Sequence, residues 1–260
     1  MSERDDWDQH WDRYAAAASR NPAQRMRHAL IARLLRRESA GRKARILDIG
    51  SGQGDLLLKL RAAMPQAELA GFELSAKGVE ISREKVPGAA FLAADLFRPP
   101  DDLKAYAGWA TDAVCSEVLE HVDEPAVFLR AVRPYLAADA RLIVTVPGGP
   151  MSAFDRHIGH RRHFTREEIA RTLREAGFAV ERVYLSGFPF FNLYRGMVIS
   201  RGEKLALDVE TGRSGFSARL AGAIMAVFRG LFRFNLMDSP LGWQVIAVAN
   251  KQHPDGRAQK

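Results

Sequence analysis

The chain has 260 residues, 47% of them hydrophobic, enough to bury one full core with decorations. Its single cysteine, Cys115, excludes a disulfide framework, and the polar opening Met1-Ser-Glu-Arg-Asp-Asp lacks the charged-then-apolar layout of a signal peptide, so a cytoplasmic location is expected. The net charge of +7 is scattered over Arg33 to Arg45, Arg156 to Arg166 and the region after Arg195 without a basic-aromatic stripe, which weighs against a nucleic-acid partner and leaves an anionic substrate or membrane headgroup open.

In chain order, Trp7, Trp11 and Tyr14 recur at helical spacing, and a second helix follows with Met26, Leu30 and Leu34 on one side. Residues 1–40 read as a helical cap that packs on the core or closes over a ligand. The core starts near residue 41. Ile46-Leu47-Asp48-Ile49 is a strand that runs into Gly50-Ser51-Gly52-Gln53-Gly54, a turn tight enough to bring a helix N-terminus close to a polar ligand. A dinucleotide fingerprint would place glycine where Asp55 stands. The Asp48 carboxylate would repel a pyrophosphate but suits a ligand with an ammonium and a sulfonium.

A helix over 55–64 ends at Pro65. The strand Glu68–Glu73 closes on a carboxylate able to accept two ribose hydroxyl bonds, with Leu74 beside it. A helix over 75–86 ends at Pro87, and a third strand, 89–95, closes on Asp95, placed to accept from an adenine amino group while the Leu96 backbone donates.

These residues carry a resemblance. Asp48-x-Gly50-x-Gly52-x-Gly54, Glu73 and Asp95 are similar to the first motif, the ribose acid and the adenine acid of class I S-adenosylmethionine-dependent methyltransferases, over roughly residues 41–184 and a last strand at 243–249. The resemblance implies an α/β fold, a doubly wound and mostly parallel seven-stranded sheet, with S-adenosylmethionine held by Asp48, Gly50, Ser51, Gly52, Gly54, Glu73, Leu74, Asp95, Leu96 and Ser116. Its chemistry would sit at the carboxyl ends of strands four and five.

The fourth strand is Asp112–Ser116, followed by a helix opening at Pro125. The fifth is Arg141–Val146. Thr165-Arg-Glu-Glu168 is a capping box for a helix ending at Gly177, and 178–185 is the sixth strand.

Past strand four stands Glu117-Val-Leu-Glu120-His121. On a helix this spacing puts both carboxylates and the imidazole on one face, a divalent-cation half-site. The segment resembles the Glu-x-x-Glu-His of ubiquinone-pathway O-methyltransferases and of small-RNA 3′-terminal 2′-O-methyltransferases; in the latter a further histidine follows strand five, where this chain has His160. That resemblance implies a Mg²⁺ or Mn²⁺ ion on Glu117, Glu120, His121 and His160; without metal, His121 or His160, with His163 next, becomes a general base. The loop from Asp155 to Phe164, with Arg156, Arg161, Arg162 and then Arg166, reads as an anion grip or a source of that base.

Residues 185–241 are an insert that the basic fold does not need. Phe216, Leu220, Ile224, Val227, Phe228 and Leu231 share one helical face, with Arg219, Arg229 and Arg233 opposite. The stretch is too short to span a bilayer and reads as a pocket cover, a homodimer surface or an interfacial helix on anionic lipid, so peripheral membrane association is open. The aromatic approach Phe188–Tyr194 favours a cover. The segment 242–250 holds the last strand and 251–260 is a tail. Cys115-Ser-Glu-Val in place of an Asn/Asp-Pro-Pro-aromatic run argues against methylation of base amino groups. The expectation is O-methylation of a small-metabolite, sugar or lipid-linked acceptor; an RNA 2′-O-methyltransferase and a non-catalytic S-adenosylmethionine-binding partner protein are the alternatives.

Overall fold

A computed structural model describes residues 7–8, 11, 21–38, 43–201 and 216–252. Tyr14, Arg42 and the side chains of Phe216, Arg219 and Leu220 lie outside the described residues, as do most of the cap and the tail. The elements alternate as α1 (Pro22–Glu38), β1 (Arg45–Ile49), α2 (Asp55–Ala63), β2 (Glu68–Glu73), α3 (Ala76–Lys85), β3 (Ala90–Ala93), β4 (Ala110–Ser116), α4 (Pro125–Val132), β5 (Leu136–Pro147), α5 (Ala153–His157), α6 (Arg166–Glu175), β6 (Phe178–Ser186), α7 (Phe190–Arg201), α8 (Phe216–Leu231) and β7 (Gln244–Lys251).

The seven strands form one sheet in the order β3-β2-β1-β4-β5-β7-β6, and β7 runs antiparallel to both its neighbours. Because helices cover both faces, the central strands read as continuous apolar runs: Ile46, Leu47 and Ile49 in β1, and Leu142, Ile143 and Val144 in β5, are all fully buried. One core lies between the sheet and α4 and α6; the other packs α1, α2 and α3 on the opposite face through Leu35, Leu57, Leu60 and Val79. The chain leaves β1 toward β2 and β3, then returns to place β4 on the other side of β1. The crevice at this reversal, beyond the carboxyl ends of β1 and β4, is where such sheets bind ligands.

Local chemistry sets the helix starts. Ser75 accepts from Gly78 N–H at 3.0 Å to cap α3, and Thr165 and Glu168 form the expected reciprocal capping box on α6. Asp8, from the cap segment, accepts from Ser75 Oγ and from Lys77 N–H at 3.1 Å, tying the N-terminal segment to the start of α3.

Several features differ from expectation. β3 ends at Ala93, so Asp95 stands two residues beyond the strand rather than closing it. β5 begins at Leu136 rather than Arg141, through a half-exposed stretch, Ala137-Ala138-Asp139, that carries no apolar alternation. In α8 the packed stripe is narrower than the wheel predicts: Phe228 is buried against Ala23, Met26, Phe191 and Phe232, whereas Val227, about 100° around the helix, is 59% exposed.

Between the interior strands β4 and β5, Arg141 donates to Asp112 at 2.8 Å, and the Asp112 side chain is fully buried. Removing one partner leaves the other charge desolvated and uncompensated. Asp112→Ala is expected to lower stability by about 3–5 kcal/mol in urea denaturation; a loss below about 1 kcal/mol, the size of an exposed pair, would contradict this account.

Candidate active site

Glu73 organises the cofactor end. Its Oε2 accepts from Gly52 N–H at 2.7 Å and its Oε1 from Ser75 N–H at 3.0 Å, so one carboxylate clasps both the glycine turn and the start of α3. Gly52 has φ +55°, and a Cβ there would come within 2.6 Å of the Trp11 ring. Gly78 on α3 is pressed as closely, since a Cβ would reach Gly52 O at 2.9 Å. Burial raises the Glu73 pKa despite these donors, among them Trp11. Asp48 is 2% exposed at the mouth of the same turn, and burial followed by the Glu73 charge lifts it to about 8. Ser51 Oγ is buried without a hydrogen-bond partner.

Two cavities meet here. The larger, about 1220 Å³, is lined by Phe72, Glu73, Leu74, Asp95, Leu96 and Phe97 among others, so the residues expected for ribose and adenine share one chamber. Asp95 Oδ1 accepts from Phe97 N–H at 3.0 Å, shaping the loop past β3. The smaller, about 480 Å³, is lined by Asp48, Gly50, Ser51, Gly52 and Ser116 and by Glu120, His121 and His160. Trp7, Trp11, Gly50, Glu117 and His121 line both chambers and mark their junction.

The Glu117–His121 segment is not a helix face. Glu117 N–H donates to Thr145 O at 2.9 Å, and the chain then turns sharply with Glu117 at φ +56°, a left-handed conformation costly for a residue with a Cβ. Only Leu119–His121 forms a single 3₁₀ turn. The turn gives Glu117 partners of its own. Glu117 Oε1 accepts from Thr145 Oγ1 at 3.2 Å and Gln244 Nε2 at 3.0 Å, and its Oε2 lies 3.5 Å from the Arg27 guanidinium.

Glu120, His121 and His160 do come together, with a ligand atom from each within 4.8 Å of the others. Glu120 is fully buried, and neither of its carboxylate oxygens has a hydrogen-bond partner. Burial, then the Glu117 charge, push its pKa well above the carboxylate range. His121 meets the edge of Trp7 at 4.9 Å and of His160 at 4.8 Å between ring centroids.

The loop after β5 is built on a capping box missed in the sequence, Ser152-Ala-Phe-Asp155, which starts α5. Asp155 also accepts from Arg195 at 2.8 Å; burial opposes its charge, but the Arg195 and Ser152 bonds prevail and hold it at about 2. His163 Nδ1 lies 3.0 Å from Gly149 O, and a carbonyl only accepts, so this nitrogen carries the proton. A neutral ring offers its Nε2 lone pair to His160 Nδ1, 3.3 Å away, and the same nitrogen lies 3.7 Å from Asp155 Oδ2. His160 is then left with a free lone pair on Nε2, and burial lowers its pKa to about 4, keeping it neutral near pH 7.

The arginines of this loop are mostly engaged elsewhere: Arg161 pairs with Asp123, Arg162 donates to Asp123 O at 2.8 Å, and Arg166 binds Val183 O and Asp238. They brace loops rather than form an anion grip. Arg27, Thr145, Gln244 and Arg195 were not legible as site residues, since each acts from an element distant in sequence; only Asp155 left a signal, its capping-box spacing to Ser152.

The Asp48 pKa gives a pH prediction. A ligand ammonium seated at Asp48 requires the ionised carboxylate, so below pH 8 binding must release a proton, and affinity should rise by up to about tenfold per unit as pH increases toward 8. Calorimetry with S-adenosylhomocysteine at pH 7, in buffers of different ionisation enthalpy, should show about one proton released, and Asp48→Asn should abolish that release. A heat independent of buffer would contradict the assignment.

Comparison with known proteins agrees with this geometry. Residues 22–183 match the model of a methyltransferase domain family. A ubiquinone biosynthesis O-methyltransferase from Xanthomonas axonopodis pv. citri (strain 306) is 29% identical over 197 residues, covering 66% of this chain and 81% of that protein. Among solved structures, geranyl diphosphate C-methyltransferase from Streptomyces coelicolor A3(2), with Mg²⁺, geranyl diphosphate and S-adenosyl-L-homocysteine bound, superposes with a TM-score of 0.53 at 13% identity over 86% of this chain and 79% of that one. A TehB-like S-adenosylmethionine-dependent methyltransferase from Corynebacterium glutamicum gives 0.54 at 16% identity over 94% and 95%. The two structures share the fold, and the family match carries the assignment: the chain belongs to the methyltransferase domain family, as an S-adenosylmethionine-dependent methyltransferase.

Proposed function

We propose that this methyltransferase O-methylates a small, largely apolar acceptor, a metabolite or the head of a lipid-linked molecule. The observation that carries this reading is the 480 Å³ chamber: at its floor Glu120, His121 and His160 converge, and its far wall is Phe191, Tyr194, Met197, Ile224 and Trp243. Such a wall favours an apolar body over a free sugar. The similarity to a ubiquinone biosynthesis O-methyltransferase supports the same class. The RNA 2′-O-methyltransferase reading drew on the loop arginines, and three of the four, Arg161, Arg162 and Arg166, are bound to the protein itself.

S-adenosylmethionine supplies an electrophilic methyl group on a sulfonium. The glycine turn, unpartnered Ser51 Oγ and acidic Asp48 fit a ligand that brings cationic charge and polar contacts to a buried site. Residues at the junction hold the acceptor in line and exclude water: Trp7 and Trp11 cover it, and Thr145, Gln244 and Arg27 fix Glu117 beside it. A hydroxyl acceptor must lose its proton, and His160 Nε2 is placed to take it, with His163 fixing the tautomer.

In the alternative mechanism, with His160 a ligand and not the base, the same residues suit a hard divalent cation. Two unpartnered carboxylate oxygens on buried Glu120 and two imidazoles form a mixed oxygen and nitrogen donor set for Mg²⁺ or Mn²⁺, without Glu117. A bound ion would lower the acceptor hydroxyl's pKa and keep Glu120 ionised.

Methyl transfer from labelled cofactor into a lipid-containing cell extract is expected, with the label in a methyl ether. His160→Ala should lower turnover about 10²–10⁴-fold, and His163→Phe about 10–100-fold through loss of the tautomer lock. Loss of activity on EDTA treatment with recovery on Mn²⁺ supports the metal; activity unchanged by both removes it. Label in an amine or in RNA would overturn the O-methylation reading.

A further inference from the structure

We propose that the outer face of α7, α8 and the turn after α8 is a docking surface for an anionic lipid bilayer, and that the acceptor enters its chamber directly from that surface. The second half rests on the reading of the smaller cavity as the acceptor site; the first does not.

Exposed apolar side chains are concentrated here. Of the ten large hydrophobic residues exposed among the described residues, seven fall between 193 and 241, which marks one region of an otherwise ordinary surface as an interaction face. Val227 at 59% and Phe234 at 69% are the most open on α8 and the turn that follows it. Met197 and Met225 are 39% and 36% exposed and also line the acceptor chamber, so they form its mouth, and that mouth opens within the apolar region.

The charge of this face selects the occupant. α8 packs across the outer side of α1, over Ala23 and Met26. Two and three turns further along that side of α1, Arg33 and Arg37 stand in solvent, with Arg36 beside them. Arg229 and Arg233 are exposed on α8 and its following turn. None of these five has a carboxylate partner among the described residues, and the one described carboxylate between 193 and 241, Asp238, is taken by Arg166. A face of apolar side chains flanked by unpaired arginines is complementary to anionic headgroups over acyl chains. It would repel a second copy of itself across a two-fold axis, which disfavours a homodimer through this face. No helix among the described residues is long and apolar enough to cross a membrane, so the contact is peripheral.

The test is co-sedimentation of the full chain with vesicles of phosphatidylcholine alone and of phosphatidylcholine mixed with phosphatidylglycerol, alongside S-adenosylhomocysteine affinity on the same samples. Partition is expected into the anionic vesicles only and should weaken with salt. Arg229→Ala with Arg233→Ala should lower it about 25-fold, at about fivefold per charge, and Phe234→Ser should lower it with cofactor affinity unchanged. Equal partition into both vesicle types, or partition indifferent to these variants, would overturn the proposal. A concentration-dependent dimer lost in Phe234→Ser would overturn it too, assigning the face to a second copy. Vesicle binding that persists in a chain unable to bind S-adenosylhomocysteine would leave the docking surface standing and defeat the enzymatic reading instead.

Discussion

The structure depends on one buried carboxylate. Glu73 holds Gly52 N–H and Ser75 N–H at once, and so fixes the glycine turn against the N-terminus of α3 with almost no space between them. The Trp11 ring lies close over Gly52, and Asp48 stands at the same turn, buried and facing another acid. A site that concentrates negative charge in a dry place is costly to build and is stabilised by a cation. The cofactor's charge is thus implied by the protein's own electrostatics.

Five buried or half-buried acids divide by whether an arginine faces them. Asp112, Asp155 and Glu117 each face an arginine and serve the architecture, bracing the sheet, the loop after β5 and the turn after β4. Asp48 and Glu120 have no such partner among the described residues, and both are pushed toward their neutral forms. Both line the smaller chamber, as does Glu117 at its strained turn. Strain kept at a junction between two ligand chambers points to a positional requirement there, since relaxing that turn would move both Glu117 and Glu120.

Much of this was legible in the residues because it is local. The strand into Asp48, the glycine turn, Glu73 and the capping box at Thr165 each depend on chemistry within a few positions, and each stands where the sequence put it. What was not legible is what the fold brings together. Glu-x-x-Glu-His suggested a helix face by its spacing, but the β4 ladder continues through the Glu117 N–H bond to Thr145 O and forces a left-handed turn that no spacing rule contains. The partners of Glu117 come from α1, β5 and β7, and the partner of Asp155 from α7, all distant along the chain. The wheel for α8 placed Val227 inside because it counts apolar residues without knowing how narrow the receiving groove is.

The cofactor's sulfur is expected at the junction of the two chambers, facing Glu120, His121 and His160. A crystal structure with S-adenosylhomocysteine bound, grown with Mn²⁺, tests it most directly. The account predicts adenine beside Asp95 and Leu96, ribose on Glu73, the amino group at Asp48, and the sulfur between Gly50 and Glu117 with an open path to His160. A sulfur turned away from Glu120, His121 and His160, or a cofactor filling the chamber behind Met197 and Met225, would contradict it.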